Sequence, residues 1–150
     1  TYTSILAGCS HAGLLEQGHD YFNVMIKQRG MVNGVEIYGC MVDLLGRSGC
    51  LDEAVDLLHT IPTPPDVVLW KSLFTSCRTY NNKEIGKWVF DQLVDLDKKC
   101  GVAYVCMRNM YSASGMHVEA NKVETLRWKN EAWDTRGHCW WNDINVDLSI

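Results

Sequence analysis

The residues whose types and spacing come closest to a catalytic motif are His117, Val118 and Glu119, an H-x-E triplet. In zinc-dependent nucleobase deaminases a C-x-x-C follows H-x-E, because zinc activates a water molecule beside a proton-transferring glutamate. No C-x-x-C follows Glu119, and Cys139 is the only later cysteine. Since catalytic zinc requires three protein ligands, we predict no catalytic residue and no metal site. The triplet is interpreted as the first turn of a helix.

The seven cysteines are the other residues with potential chemistry. No two of them have C-x-x-C spacing, which excludes the usual zinc knuckle and thioredoxin-like motifs. Most stand among apolar residues at helical spacing, where a thiol behaves as a small hydrophobic group. We therefore expect reduced thiols and no cofactor.

Tryptophans are concentrated near the end of the chain, where four of the six lie within the last 23 residues. They are Trp128, Trp133, Trp140 and Trp141. Exposed tryptophans are enriched at the hot spots of protein interfaces. Alternatively, they cover the open end of a repeat array, which would otherwise expose a core face. We hypothesise that this aromatic tail docks a partner protein or a second copy of the chain.

The overall charge argues against strong binding of nucleic acid by electrostatics alone. The formal net charge is −4, whereas domains that bind phosphate backbones are usually basic. The chain begins at Thr1 inside an apolar-periodic segment, so we expect it to be part of a longer protein. No targeting peptide or membrane-spanning run is visible in the sequence.

Three series of residues recur with the same uneven spacings of 36, 32 and 34 residues. One series is aromatic, one marks a turn and one is small: Tyr2, Tyr38, Trp70, Tyr104; Gly13, Gly49, Asn81, Gly115; and Gly18, Ala54, Gly86, Ala120. An apolar row in the same register contains Phe22, Leu58 and Phe90, and Glu124 breaks it. This agreement indicates four internal repeats of about 34 residues.

Each repeat is predicted to contain two helices. In the second repeat, Tyr38, Met41, Val42 and Leu45 form an amphipathic stripe, and Gly49 ends the helix because glycine accepts the left-handed conformation. The small residue of each second helix indicates close packing of the two helices. Helices are predicted over 2–12, 15–28, 37–49, 51–61, 68–79, 83–96, 102–113 and 117–130. The predicted fold is all-α, a right-handed α-solenoid of four helix-turn-helix repeats with an aromatic C-terminal tail.

Five segments resemble plant pentatricopeptide repeat proteins of the PLS subclass, in their E/E+ or DYW subgroup. TYTSILAGCSHAGLLEQG (1–18) and YGCMVDLLGRSGCLDEA (38–54) are similar to the last long-type and short-type repeats. LWKSLFTSCRTYNNKEIG (69–86) and YVCMRNMYSASG (104–115) are similar to the two TPR-like E-type motifs, and GHCWWNDINV (137–146) to the start of the E+ extension. The resemblance divides the chain into five segments that correspond to these motifs in order: 1–34, 35–66, 67–100, 101–136 and 137–150.

This resemblance implies a function in cytidine-to-uridine editing of organellar RNA, as the C-terminal interaction platform of a specificity factor. The implied partners are single-stranded organellar RNA, bound by upstream repeats, a DYW-type cytidine deaminase, and the organellar RNA editing factors. The implied location is the mitochondrion or the plastid. The alternative function is RNA binding for transcript stabilisation, processing or splicing without editing, and neither alternative makes this chain an enzyme.

The resemblance also implies which residues of the first two repeats would contact bases. They are the fifth and last positions, namely Thr3 and Gly34, then Gly39 and Asp66. Thr3 and Asp66 fit the family's preference, whereas the two glycines offer a base edge no side chain. We therefore expect poor base recognition here, and none by the equivalent residues Lys71 and Val105.

Overall fold

The computed structural model describes residues 2–29 and 35–133, and over these residues the chain is helical with no β-strand. The helices are α1 (Tyr2–Ala12), α2 (Leu15–Arg29), α3 (Val35–Arg47), α4 (Leu51–Thr60), α5 (Val67–Thr79), α6 (Lys83–Leu96), α7 (Gly101–Ala113) and α8 (His117–Lys129). The all-α prediction is confirmed, and every predicted helix is present within two residues of its predicted ends. None of the described helices combines the length and apolar character needed to cross a membrane.

The chain divides into two compact units, Thr1–Ser76 and Cys77–Ile150, called here the N-terminal and C-terminal units. In the N-terminal unit α3 packs against α1, α2 and α4. In the C-terminal unit α7 packs against α6 and α8. Each unit therefore buries the apolar face of a first helix between neighbouring helices, since a helix pair of this length has too little surface to form its own core.

The predicted turns have the backbone conformation that their residue types favour. All four residues of the turn series have positive φ, namely Gly13 (71°), Gly49 (81°), Asn81 (50°) and Gly115 (72°). At each turn the N–H of the following residue donates to the carbonyl five residues earlier, a Schellman arrangement. The Asn81 amide Nδ2 also donates to Ser114 Oγ at 3.0 Å. The prediction that this series ends the first helices is confirmed.

The aromatic series has a packing role that repeats along the chain. Tyr38 meets Phe22 edge to face, with ring centroids 5.4 Å apart. In the C-terminal unit Tyr104 meets Phe90 in the same way, at 5.2 Å. An aromatic residue near the start of a first helix thus contacts the second helix of the preceding repeat. Such pairs contribute roughly 0.5–1.5 kcal/mol beyond the burial of their area.

The glycines of the small series mark close packing of the two helices of a repeat, as predicted, and a still closer approach to the next repeat. A Cβ on Gly18 would lie 2.1 Å from Leu44 Cδ2 and 3.7 Å from Cys9 Cβ. A Cβ on Gly86 would lie 3.0 Å from Met110 Cε and 3.6 Å from the Cβ of Cys77. The tightest contact is therefore with the first helix of the next repeat, and the helix of the same repeat is second.

Five of the described cysteines carry free thiols: Cys9, Cys40, Cys50, Cys77 and Cys106. Burial raises the pKa of Cys77 to about 12. Burial also raises the pKa of Cys106 to about 11, although the nearby Arg78 opposes the shift. Both thiols therefore stay protonated and unreactive at neutral pH. Cys100 is disulfide-bonded, so the expectation of reduced thiols was wrong for that residue.

Candidate functional site

Two of the four residues assigned to base recognition line one cavity in the N-terminal unit. Gly39 on α3 and Asp66, just before α5, lie at the edge of a space of about 390 Å³. The cavity is bounded by α1, α3, α5 and the proline-containing segment before α5. Its other lining residues are Ala7, His11, Glu36, Cys40, Asp43, Ile61, Pro65, Val68, Leu69 and Ser72. Most of the cavity surface is therefore apolar, and the polar groups come from a few side chains.

Asp66 has a structural contact inside this site. Its Oδ1 accepts a hydrogen bond from the Leu69 N–H at 2.9 Å, and its carbonyl accepts from the Trp70 N–H at 3.2 Å. Asp66 is therefore the N-cap of α5, where a carboxylate also meets the positive end of the helix dipole. Across the cavity, no atom outside its own helix lies within 4 Å of a Cβ built on Gly39, so the glycine leaves that side open.

Asp43 is a further polar residue of the cavity, and the sequence did not point to it as a site residue. Its Oδ2 accepts from Ser10 Oγ on α1 at 2.5 Å and from Arg47 Nε at 3.0 Å. Its Oδ1 accepts from Ser72 Oγ on α5 at 2.7 Å. Three successive first helices are joined through this one carboxylate. The available signal was a lone acidic residue within the apolar stretch CMVDLL (40–45).

Three carboxylates line the cavity. They belong to Glu36, Asp43 and Asp66, and His11 is the only lining residue that can become cationic. Burial raises the pKa of the Cys40 thiol, and the charges of Asp43 and Glu36 raise it further. Two of these carboxylates already have partners, since Asp43 accepts from Arg47 and Asp66 caps α5. Within 2–29 and 35–133, His, Cys, Asp and Glu side chains form no group able to hold a metal ion.

The other two candidate base-contacting residues, Thr3 and Gly34, lie wholly or partly outside the described residues, and Lys71 and Val105 are the equivalent positions that are not expected to contact bases. Thr3 lies in α1, although its side chain is outside the described residues, as is the whole of Gly34. Val105 is buried in α7, with 4% of its surface exposed. Lys71, on α5, is partly buried, and its carbonyl accepts a hydrogen bond from Thr75. The structure therefore brings Gly39 and Asp66 together and describes no shared site for Thr3 and Gly34.

The H-x-E triplet lies where a helix begins. His117 is the first residue of α8, and Glu119 is in its first turn. A carboxylate in the first turn of a helix is stabilised by the positive N-terminal end of the helix dipole. The interpretation of the triplet as a helix start is confirmed.

The described part of the aromatic tail forms an exposed pair. Trp128 is 63% exposed and Trp133 46% exposed, and their rings meet edge to face with centroids 4.5 Å apart. The Arg127 guanidinium lies 5.5 Å from the ring centroid of Trp133, within the range of a cation–π interaction. Trp140 and Trp141 lie outside the described residues.

Comparisons with known proteins agree with this repeat architecture. The sequence model of the pentatricopeptide repeat (PPR) family matches residues 1–29 and 36–62 of this chain. A pentatricopeptide repeat-containing protein of Arabidopsis thaliana is 44% identical over 87% of the chain and 20% of its own length.

Two further Arabidopsis thaliana relatives carry the same family name. One, named as mitochondrial, is 39% identical over 84% of the chain and 21% of its own length. Another, named as chloroplastic, is 33% identical over 96% of the chain and 17% of its own length. The chain thus spans about a fifth of the length of these curated relatives. It belongs to the pentatricopeptide repeat family.

Proposed function

We propose that this chain is the C-terminal interaction platform of an organellar RNA-editing specificity factor. In this role it recruits a DYW-type cytidine deaminase, organellar RNA editing factors, or both, to sites of cytidine-to-uridine editing. Upstream repeats of the full protein bind the single-stranded RNA. The location is the mitochondrion or the plastid, since relatives with either name match the chain.

The observation that carries the platform role is the exposed pair of Trp128 and Trp133 beside the guanidinium of Arg127. Trp and Arg are the residue types that contribute most to binding at protein interfaces. The aromatic tail, including Trp140 and Trp141, contacts the partner protein in this proposal. A second copy of the chain is the other candidate for that contact.

The second support is the pair of Gly39 and Asp66, from which we expect poor base recognition. At the cavity of the second repeat, Gly39 offers no side chain, and one carboxylate oxygen of Asp66 already caps α5. In the proposed division, 1–34 is a long-type repeat and 35–66 is a short-type repeat, and both have largely lost base recognition. The division assigns 67–100 and 101–136 to recruitment motifs and 137–150 to the start of an E+-like extension.

The second candidate function is RNA binding for transcript stabilisation, processing or splicing without editing. The family membership alone favours it, because a repeat array that binds RNA does not require a recruited deaminase. The two functions differ in what happens to the transcripts when the protein is lost.

Sequencing organellar transcripts from a plant that lacks the full protein distinguishes the two functions. The platform role predicts that specific sites keep cytidine, and that the wild-type full-length gene restores uridine at those sites. Full-length protein with Trp128→Ala and Trp133→Ala should bind RNA normally and fail to restore editing. Complete editing in the mutant plant, together with altered transcript ends or splicing, would establish the alternative function.

The aromatic tail has a separate test in vitro. Replacing Trp140 and Trp141 with alanine should weaken pull-down of the deaminase domain or lower the solution mass of the chain. If both the mass and the pull-down are unchanged, the tail is not the docking element.

A further inference from the structure

A charged triad lies on one face of the C-terminal unit. Glu124 on α8 stands between two arginines, with Oε2 3.1 Å from Arg108 Nη1 and Oε1 3.4 Å from Arg127 Nη1. The side chains of Arg108, Glu124 and Arg127 are 18%, 28% and 15% exposed. The three side chains are thus largely, but not fully, buried. Together they carry a net charge of one positive unit.

The same three positions are apolar in every earlier repeat. Spacings of 36, 32 and 34 residues relate Arg108 to Leu6, Val42 and Phe74; Glu124 to Phe22, Leu58 and Phe90; and Arg127 to Met25, Ile61 and Leu93. All of these except Phe22 and Ile61 are buried. Phe22 and Phe90 contact the aromatic residue of the following repeat.

The joint change to charged residues alters what this face can bind. A further repeat of the same kind would press apolar side chains against the triad and remove its charges from water at a large desolvation cost. A partner with its own charged groups offsets that cost, because it replaces the hydrogen bonds that water makes with the triad.

The two guanidinium groups retain donors for such a partner. Among the described residues, Arg108 donates to Glu124 alone, through Nη1. Arg127 donates from Nε to the Ala132 carbonyl at 3.0 Å and from Nη1 to Glu124. A guanidinium has several further N–H donors in a fixed fork that matches a carboxylate. Glu124 meanwhile holds both arginines in place.

The triad borders an apolar surface. Arg127 lies over the ring of Trp133, and Trp133 contacts the exposed Trp128. We define Arg108, Glu124, Arg127, Trp128 and Trp133 as the end face. It therefore offers guanidinium donors and two indole rings side by side, a combination that suits a ligand with a carboxylate next to an apolar group.

We propose that the end face binds an acidic peptide segment of a partner protein. A carboxylate of that segment accepts hydrogen bonds from Arg108 and Arg127, and an adjacent apolar side chain packs on the tryptophan pair. RNA is disfavoured here, because the net charge of −4 opposes the many phosphates of an RNA strand more strongly than the few carboxylates of a peptide segment. This inference rests on the proposed recruitment function and specifies the chemistry of its partner.

A titration of the chain with labelled peptides tests the proposal. The probe is a peptide of alternating Glu and Leu, and its matched control replaces every Glu with Gln. We expect the Glu peptide to bind about tenfold more tightly and to weaken at high salt. Arg108→Gln and Arg127→Gln should each weaken binding about tenfold or more, because each removes a charged hydrogen-bond donor to the carboxylate. Lys122→Gln, which removes an exposed cation from the same helix, should leave it unchanged.

Trp128→Ala covers the case in which an arginine variant fails to fold. Its side chain is largely exposed, so the variant should keep the circular dichroism and melting temperature of the wild type and still bind the Glu peptide more weakly. If Lys122→Gln weakens peptide binding as much as the arginine variants do, the effect is due to net charge alone, and the proposal is wrong. Binding of single-stranded oligouridine that requires Arg108 would also overturn the proposal.

Failure of this inference and failure of the proposed function are separate results. If the peptide binds as expected but the plant edits normally without the protein, the editing function is wrong and the end face stands. If editing is lost in the plant but the Glu and Gln peptides bind equally, the function stands and the end face is not the docking surface.

Discussion

Ser72 on α5 donates a hydrogen bond of 2.7 Å to Oδ1 of Asp43 on α3. Ser10 on α1 donates to the other carboxylate oxygen. One aspartate therefore joins the first helices of three successive repeats at the wall of the cavity. Because these helices form the cavity, the width of the cavity depends on a polar contact that is not itself free to bind a ligand.

Replacing Asp43 with alanine should destabilise the chain. The change leaves Ser10, which is 3% exposed, without its acceptor, and an unsatisfied buried hydroxyl costs roughly 1–3 kcal/mol. Chemical denaturation followed by circular dichroism measures the loss in the free energy of unfolding. Asp56→Ala, at an exposed position on α4, is the control, and equal stability of the two variants would contradict the role of Asp43.

Gly18→Ala and Gly8→Ala should shift stability in opposite directions. A Cβ at Gly18 would meet the buried Leu44 at 2.1 Å, so overpacking should cost about 1–3 kcal/mol. At Gly8 nothing lies within 4 Å, and alanine should stabilise the helix by about 0.5–1 kcal/mol. Thermal melts of both variants test the pair. A stabilised Gly18→Ala would show that α2 and α3 are not in close contact.

The cap formed by Asp66 predicts a difference between two substitutions. Asp66→Ala should lower the free energy of unfolding by about 0.5–2 kcal/mol, because the Leu69 N–H loses its acceptor. Asp66→Asn keeps an acceptor oxygen and should cost less. If the alanine and asparagine variants unfold at the same denaturant concentration, Asp66 does not cap α5.

The raised pKa of Cys77 predicts a stability that falls at alkaline pH. In the folded chain the thiol keeps its proton up to about pH 12, whereas its ordinary pKa is 9.0. Between these values the unfolded state binds fewer protons, so the free energy of unfolding falls as the pH rises. Cys77→Ala should make this decline shallower. The check is denaturation of both proteins across that pH range, and identical slopes would rule out the buried thiol as a cause.

The helices and turns were predictable because their causes are local. Apolar spacing sets where a helix can be buried, and Gly13, Gly49, Asn81 and Gly115 are residue types that accept positive φ. The aromatic series was visible as a pattern, and the contact of Tyr38 with Phe22 explains why it recurs. These features depend on a few neighbouring residues, which a single sequence displays directly.

The polar contacts were not predictable, because they depend on where separate helices come to lie. Asp43 bonds residues 33 and 29 positions away in the chain, and no spacing rule pairs them. Glu124 was visible as a break in an apolar row, but its two arginine partners required the packing of α7 on α8. Likewise, the contact of Gly18 with Leu44 crosses from one repeat to the next.

We propose that this chain binds proteins in preference to nucleic acid. A surface-binding measurement on the immobilised chain, offered a DYW-type deaminase domain and then single-stranded RNA at physiological salt, tests it most directly. We expect saturable binding of the deaminase domain, weakened by Trp128→Ala, and no saturable binding of RNA. Tight, partner-independent binding of RNA with no binding of the deaminase domain would contradict it.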